Sequence, residues 1–480
     1  MLSHFRRPGS LRGPALEASG ARRNPGTAMS RPASRPRVRR IVGGLAALVL
    51  AVAGGLIAAS PATTAEQKQR YIVVLKDGAV DPGTAALAQQ RGYGLTVSTV
   101  YREAVSGYAA TMTASAAARL AADPGVDFVS VSRQFRLPDE PGPDAQVAPN
   151  WLLRMGGASS DDRGEAKEDV GVNVAVIDSG IDADHPDLNV RGGVDCSTGT
   201  PVDVTPTDTV GHGTFVAGVI GAKDNEEGVV GAAPGTPLWS VRVVDDNDLI
   251  TEEMLICAID WVTGTQKDDD PDNDIEVANI SIGGSGADTD DCGKGTDPMH
   301  YAICRSVKAG VVYAVAAGNA GQDFADTVPA TYDEVLTATA MADFDGTPDG
   351  LAAPICGPED WTEIGQLDDQ PAFFSNYATT SRDKDHTVAG PGVCVSSTSP
   401  APENYGVAHG TSFASPAVAG ALALCISEKE CEGSGKELMS QFLEVTKDYN
   451  KKNRDFGFDG DPLRPIKGKY YGYLAQVAGD

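Results

Sequence analysis

Four short stretches of this 480-residue chain carry side chains that together could open an acyl bond. The apolar run Val174-Ala175-Val176-Ile177 stops at Asp178, which Ser179 and Gly180 follow. A carboxylate at such a strand end can be fixed by backbone N–H groups and orient an imidazole. His212 stands between Gly211 and Gly213 where a helix should begin. A capping or core histidine is the plainer alternative, but the two glycines leave the ring accessible and let other backbone come close. Gly410-Thr411-Ser412 opens an Ala-rich helical stretch over 417–424. Serine at a helix start is ordinarily a cap. The same place gives its Oγ the positive end of the helix and turns its N–H toward a developing oxyanion. Asn319, in Ala316-Ala317-Gly318-Asn319-Ala320-Gly321, is either a turn asparagine or a second oxyanion donor.

These stretches need a scaffold, and the pattern around them supplies one. From about residue 149, apolar β-branched runs at 172–177, 238–244, 277–282, 311–316 and 335–340 alternate with Ala-rich helical patterns. Such runs belong to strands buried on both faces, so the expected fold is α/β, a doubly wound and mainly parallel sheet. Chemistry is then expected at the carboxyl ends of its strands. A separate cysteine-free segment over 71–137 reads β-α-β-α-β, a small α+β domain with helical spacing over 78–92, and closes with alternating apolar residues over 126–135. A Pro/Gly/Asp-rich linker over 138–148 joins it to 149–480, with a C-terminal extension from about 433.

Taken together, the stretches DSGI, HGTFVAG, AAGN and GTSFASP occur in the order Asp, His, Ser and resemble the subtilase family over about 149–430. The resemblance implies a serine endopeptidase with Asp178, His212 and Ser412 as triad and Asn319 with the Ser412 N–H as oxyanion donors. It makes Ser281, Ile282 and Gly283 part of a substrate strand whose backbone pairs with an extended peptide. Because main-chain pairing tolerates many sequences, broad specificity is expected. The 71–137 segment looks like the family's inhibitory propeptide, so protein substrates and the chain's own propeptide are the expected partners. The stretch 146–151 looks like the start of the mature enzyme. Phe215, Phe413 and Ala417 replace the family's usual His, Met and His; none would carry the chemistry. His409, three residues before the expected nucleophile, reads as a satisfied surface histidine or as a group that perturbs the site's pH response.

Composition narrows the remaining choices. Residues 71–480 hold 27 Lys/Arg against 64 Asp/Glu, a surface that repels phosphate backbones, so nucleic acid is not an expected partner. All eight cysteines lie beyond residue 190 with no CxxC pair, which reads as up to four disulfides made outside the cell. Only the Cys292–Cys304 and Cys425–Cys431 loops are short enough to guess. Residues 1–65 read as a basic leader and signal peptide. Arg37, Arg39 and Arg40 precede an uncharged stretch over 41–59, and small residues follow. The alternative is an uncleaved membrane anchor. A secreted monomer with only transient membrane contact is the expectation. No cofactor is expected for catalysis and no metal ligand is assigned, although 268–274 and 343–346 offer hard oxygens that suit structural calcium. The nearest rival is a sedolisin-type serine-carboxyl peptidase, which His212 argues against and an acidic activity optimum would favour. The other is an inactive peptide-binding relative, which a fluorophosphonate probe would leave unlabelled.

Overall fold

In the computed structural model of the chain, the described residues are 68–477 apart from 77, 79, 136–148, 158–169, 226–227, 290, 349, 351, 355, 357–360, 362–364 and 403. The expected leader over 1–65 and linker over 138–148 lie outside them. Strand periodicity organises the first part. β1 (Lys68–Leu75) turns Tyr71, Val73 and Leu75 into one apolar cluster and Ile72 and Val74 into another. The first helix, α1 (Pro82–Tyr93), starts later than the spacing suggests, because Asp81 accepts the Thr84 N–H at 2.9 Å and Pro82 sits in the first turn. β2 (Thr96–Tyr101), β3 (Gly107–Thr113), α2 (Ala114–Leu120) and β4 (Val126–Val131) complete an antiparallel sheet in the order β2-β3-β1-β4. The segment is therefore β-α-β-β-α-β; β2 alternates weakly, and pairing with β3 makes it a strand. The expected final run over 126–135 also divides, since β5 (Gln134–Phe135) leaves this sheet.

The second part runs α3 (Asn150–Arg154), β6 (Val174–Asp178), β7 (Val190–Asp195), β8 (Val202–Asp203), α4 (His212–Gly221), β9 (Leu238–Arg242), β10 (Ile250–Thr251), α5 (Glu252–Thr265), β11 (Val277–Ile280) and β12 (Gly284–Ser285). It continues with α6 (Pro298–Ala309), β13 (Val312–Ala316), β14 (Thr327–Val328), β15 (Val335–Ala342), β16 (Gln370–Pro371) and α7 (Ser381–Lys384). Then come β17 (Thr387–Val393), β18 (Val395–Thr398), β19 (Tyr405–Ala408), α8 (Thr411–Ser427), α9 (Lys436–Lys452) and β20 (Tyr473–Leu474).

One sheet runs β20-β17-β15-β13-β11-β6-β9-β7-β8, with β16 against β15; every pairing is parallel except those of β8 and β16. Successive residues of its central strands go to opposite cores. Val174, Val176, Val312 and Ala314 pack with α4 and α8, whereas Ala175, Ile177, Ala278 and Tyr313 pack with α5 and α6. Helices on both faces bury the strands completely, which is why they read as unbroken apolar runs. The fold is the doubly wound α/β arrangement expected. β6 has β9 on one side and β11 on the other, so a crevice opens at the carboxyl ends of β6 and β11. The stretch beyond 433 is integral to this sheet: β20 pairs in parallel with β17 and supplies its edge.

Four disulfides join Cys196–Cys257, Cys292–Cys304, Cys356–Cys394 and Cys425–Cys431. Both short loops picked out in the sequence are closed in this way. His386 is buried between β15 and β17, its Nδ1 at 3.2 Å from the Thr337 hydroxyl, and burial pulls its pKa down to about 4. A histidine depressed in the folded state contributes stability that is complete above its unfolded pKa and is lost as pH falls toward the folded one. Here the window runs from about 6.5 down to about 4, for a total of about 3 kcal/mol. In an NMR titration the His386 ring should stay neutral at pH 5; a midpoint near 6.5 would contradict this.

Candidate active site

Asp178 ends β6 fully buried, and one oxygen of its carboxylate, Oδ1, takes the Ser179 N–H at 2.7 Å and the His212 Nδ1–H at 2.8 Å. A carboxylate can only accept in this state, so the proton sits on Nδ1 and leaves Nε2, on the far side of the ring from Asp178, free of a proton to act as a base. His212 opens α4, and the backbone that carries it is fastened to the strand end. A Cβ on Gly213 would meet the Gly180 carbonyl oxygen at 2.1 Å, so glycine here permits the close approach. Asp208 anchors the helix start by accepting the Gly211 N–H at 2.8 Å and the Thr214 N–H at 2.9 Å, and it takes the Ser179 hydroxyl at 3.0 Å. That residue went unnoticed in the sequence, although an Asp shortly before a helix start is an ordinary capping signal.

Ser412 lies in the first turn of α8, its hydroxyl donating to the Ser281 carbonyl at 3.4 Å. Phe413, the next residue, stands 5.6 Å from the His212 ring between centroids, and Phe215 packs on Phe413 at 4.6 Å. The two unusual phenylalanines are thus one aromatic wall behind the imidazole.

Pro416 has no N–H, so the Ser412 carbonyl is deprived of its helical partner four residues on. The Ser281 hydroxyl replaces it, donating to the Ser412 carbonyl at 2.7 Å. Asn279 Nδ2 donates to Ser281 Oγ at 3.0 Å, and the Ser415 hydroxyl donates to Asn279 Oδ1 at 2.7 Å. This buried chain ties the end of β11 to the serine, and neither Asn279 nor Ser415 was singled out in the sequence. The one local sign of it is a proline four residues after a helix-leading serine.

Asn319 Oδ1 accepts the Thr411 N–H at 2.9 Å and its hydroxyl at 2.8 Å. A backbone N–H facing that atom requires oxygen there, so the amide directs its NH2 end away from Thr411. The structure brings Asp178 to His212, and Ser412 to Ser281 and, through Thr411, to Asn319. Ser281 and Ile282 are buried, the first under Ser412 and the second in the core, so their side chains do not line the crevice. His409 corrects the surface expectation. It is buried against Trp361, and its Nδ1 accepts the Cys394 N–H at 2.9 Å.

The N-terminal sheet docks on α5 and α6. Ile72, Val74, Tyr101 and Phe128 share a core with Met254, Leu255, Met299 and Ala302 of α5 and α6. On α5, Asp260 accepts the N–H groups of Arg102, Glu103 and Ala104 at 3.2, 2.8 and 2.5 Å. Arg70 pairs with Glu253 and Arg133 with Glu252. Burial pushes Glu252, Glu253 and Asp260 upward, while the two arginines and the N–H groups pull them back. β5 then pairs antiparallel with β10, Phe135 opposite Ile250 and Gln134 opposite Thr251. Asp260→Ala would remove the acceptor of four N–H groups, those of Arg102, Glu103, Ala104 and Val105, so the N-terminal segment should bind at least about 30-fold more weakly. Inhibition by that segment after cleavage reads this out, and an unchanged inhibition constant would refute it.

Asp343, Asp345 and Asp368 bring carboxylate oxygens within 4.8 Å of one another, a donor set that suits a hard cation. Arg154 already lies against it, 2.7 Å from Asp369 and 3.8 Å from Asp343, and burial pushes Asp343 up to about 8. In the 268–274 loop, Asp268 and Asp270 cap turn N–H groups instead.

An Asp–His pair and a helix-leading serine, gathered at the switch point of a doubly wound sheet, are the groups a serine peptidase uses. A profile described as "Subtilase family" matches residues 169–459, and one described as "Peptidase inhibitor I9" matches residues 70–138. The chain belongs to the subtilase family: it is a serine endopeptidase that carries an inhibitory propeptide domain. It is 31% identical over 331 residues to subtilisin E of Bacillus subtilis, covering 68% of this chain and 71% of that protein. It is 28% identical over 380 residues to a thermostable alkaline protease of Halalkalibacterium halodurans, covering 79% and 87%. Its fold is similar to that of fervidolysin from Fervidobacterium pennivorans, with a TM-score of 0.60 and 22% identity over 86% of this chain and 60% of that one.

Proposed function

We propose that this protein is a secreted, monomeric endopeptidase of broad specificity that removes its own propeptide and acts through Asp178, His212 and Ser412. The observation that carries the reading is the 2.8 Å bond from His212 to buried Asp178, with the His212 ring against Phe413, the residue that follows Ser412. Ser412 Oγ passes its proton to His212 Nε2 and bonds to the carbonyl carbon of the substrate. The displaced electron pair rests on the carbonyl oxygen, held by Asn319 Nδ2 and the Ser412 N–H. The imidazolium then returns the proton to the leaving amine as the C–N bond breaks, and water repeats the sequence on the acyl-enzyme.

The segment over 71–137 is the propeptide, 138–148 the linker and 149–480 the peptidase. Export is supported by the basic leader with its apolar stretch and by four disulfides. Among the described residues no helix is long and apolar enough to cross a membrane. Broad specificity is supported by β5, which enters the crevice through backbone pairing with β10. The test is to incubate the processed protein with a mixed peptide library and map the cuts, with parallel fluorophosphonate labelling. Cuts after many residue types and labelling at Ser412 are expected; an unlabelled serine would overturn the reading.

A further inference from the structure

Two residues before Phe135, the side chain of Arg133 enters a recess of the peptidase part. Its Nη2 donates to Glu252 Oε1 at 2.6 Å, to Asp297 Oδ1 at 2.7 Å and to the Tyr332 hydroxyl at 3.1 Å, and its Nε reaches Glu252 Oε1 at 3.0 Å. Tyr332 donates in turn to Asp297 Oδ2 at 2.7 Å, which orients the hydroxyl oxygen to accept from the guanidinium. The backbone of Arg133 is held as a strand residue, its carbonyl taking the Glu252 N–H at 2.7 Å and its N–H reaching Glu252 Oε2 at 2.8 Å. The floor is shaped for this occupant. A Cβ on Gly286 would lie 2.6 Å from Arg133 Nη1, so a larger residue there would fill the guanidinium's place.

The Glu252 and Asp297 side chains are only 0% and 5% exposed, and Arg133, part of the piece that leaves on activation, is what covers them. Neither carboxylate has another cationic partner among the described residues. Once the propeptide departs, two carboxylates and a phenol face the crevice without their cation, beside the strand on which a peptide pairs. We infer that Glu252, Asp297 and Tyr332 form a substrate subsite for arginine, placed two residues ahead of the residue that pairs with Ile250. The planar guanidinium can serve both carboxylates and the phenol oxygen at once, whereas a lysine ammonium offers a single point, so arginine is preferred over lysine. The inference rests on the peptidase reading, with β5 taken as a stand-in for substrate.

The experiment uses processed enzyme freed of its propeptide and a series of peptides in which one arginine is walked along an otherwise constant sequence. In one register kcat/KM should exceed that of the alanine peptide by about 10- to 100-fold, as charge-assisted hydrogen bonds allow, with the cut at a constant spacing from the arginine. Glu252→Gln and Asp297→Asn should each shrink the Arg-to-Ala ratio to a few-fold. A ratio taken within one variant is independent of its overall activity. Asp297→Asn also keeps the α6 cap, which Asp297 makes by accepting the His300 N–H at 3.0 Å. Equal cleavage of arginine and alanine peptides in every register, or a preference that survives both substitutions, would overturn the subsite and leave the peptidase standing. Failure to cut any peptide would overturn the peptidase reading and the subsite with it.

Discussion

Ser412→Ala protein should accumulate as an uncut precursor and should have lost nearly all hydrolytic activity. Alanine removes one hydroxyl and leaves the Ser412 carbonyl's bond from Ser281 in place, so the fold should survive. What is lost is the nucleophile. In subtilisin itself, a relative of this chain, deleting the nucleophile or the base costs about 10⁶ in kcat, and a loss of that order is expected here. If the propeptide cut is the enzyme's own, the variant retains the 78 residues over 71–148. At the chain average of 49.7 kDa per 480 residues, the retained form is about 8 kDa heavier than the mature one. Immunoblotting in a host without other proteases reads the size, and a fluorophosphonate probe reads the nucleophile. Normal processing of the variant would show that another protease makes the cut, and residual activity within about tenfold of wild type would remove Ser412 from the mechanism.

His212→Ala and His409→Ala should separate by several powers of ten, although both histidines stand within reach of the same serine in sequence or space. Removing His212 takes away the proton acceptor, and the expected loss is again about 10⁶ in kcat with little change in stability. Removing His409 takes away the acceptor of the buried Cys394 N–H and a ring packed 4.8 Å from Trp361. The unsatisfied N–H should cost about 1–3 kcal/mol and lower Tm, while the folded enzyme keeps its activity to within about tenfold. Steady-state kinetics beside thermal unfolding distinguish the two effects. The reverse ranking would make His409 the base.

Much of the site was legible because its signals are local. A strand run ending at Asp178, glycines around His212 and a helix start at Ser412 are set by dihedral preferences and capping over a few residues. The Cys292–Cys304 link spans 12 residues, short enough to guess from the loop alone. The burial of His409 was not legible, because its partner Cys394 lies 15 residues away in the bend between β17 and β18. The division of the expected 126–135 run was equally hidden: alternation continues through it, yet β4 pairs with β1 while β5 pairs with β10.

The sequence by itself determined the chemistry available and the kind of scaffold. Side-chain types and short motifs name the acid, base and nucleophile, and unbroken apolar runs demand a sheet covered on both faces. Only the tertiary structure decided what holds those groups still and what fills the crevice. Ser281 supports Ser412 across 131 residues of chain, Asp260 gathers N–H groups about 157 residues away, and Arg133 meets Glu252 and Asp297 across 119 and 164. Each of these contacts joins groups that are ordinary in their own surroundings: a strand-end serine, a helical aspartate, an arginine near a strand. They become partners because a parallel sheet brings the ends of distant strands to one edge, and a buried polar group placed there has to find its hydrogen bond in whatever the fold sets beside it.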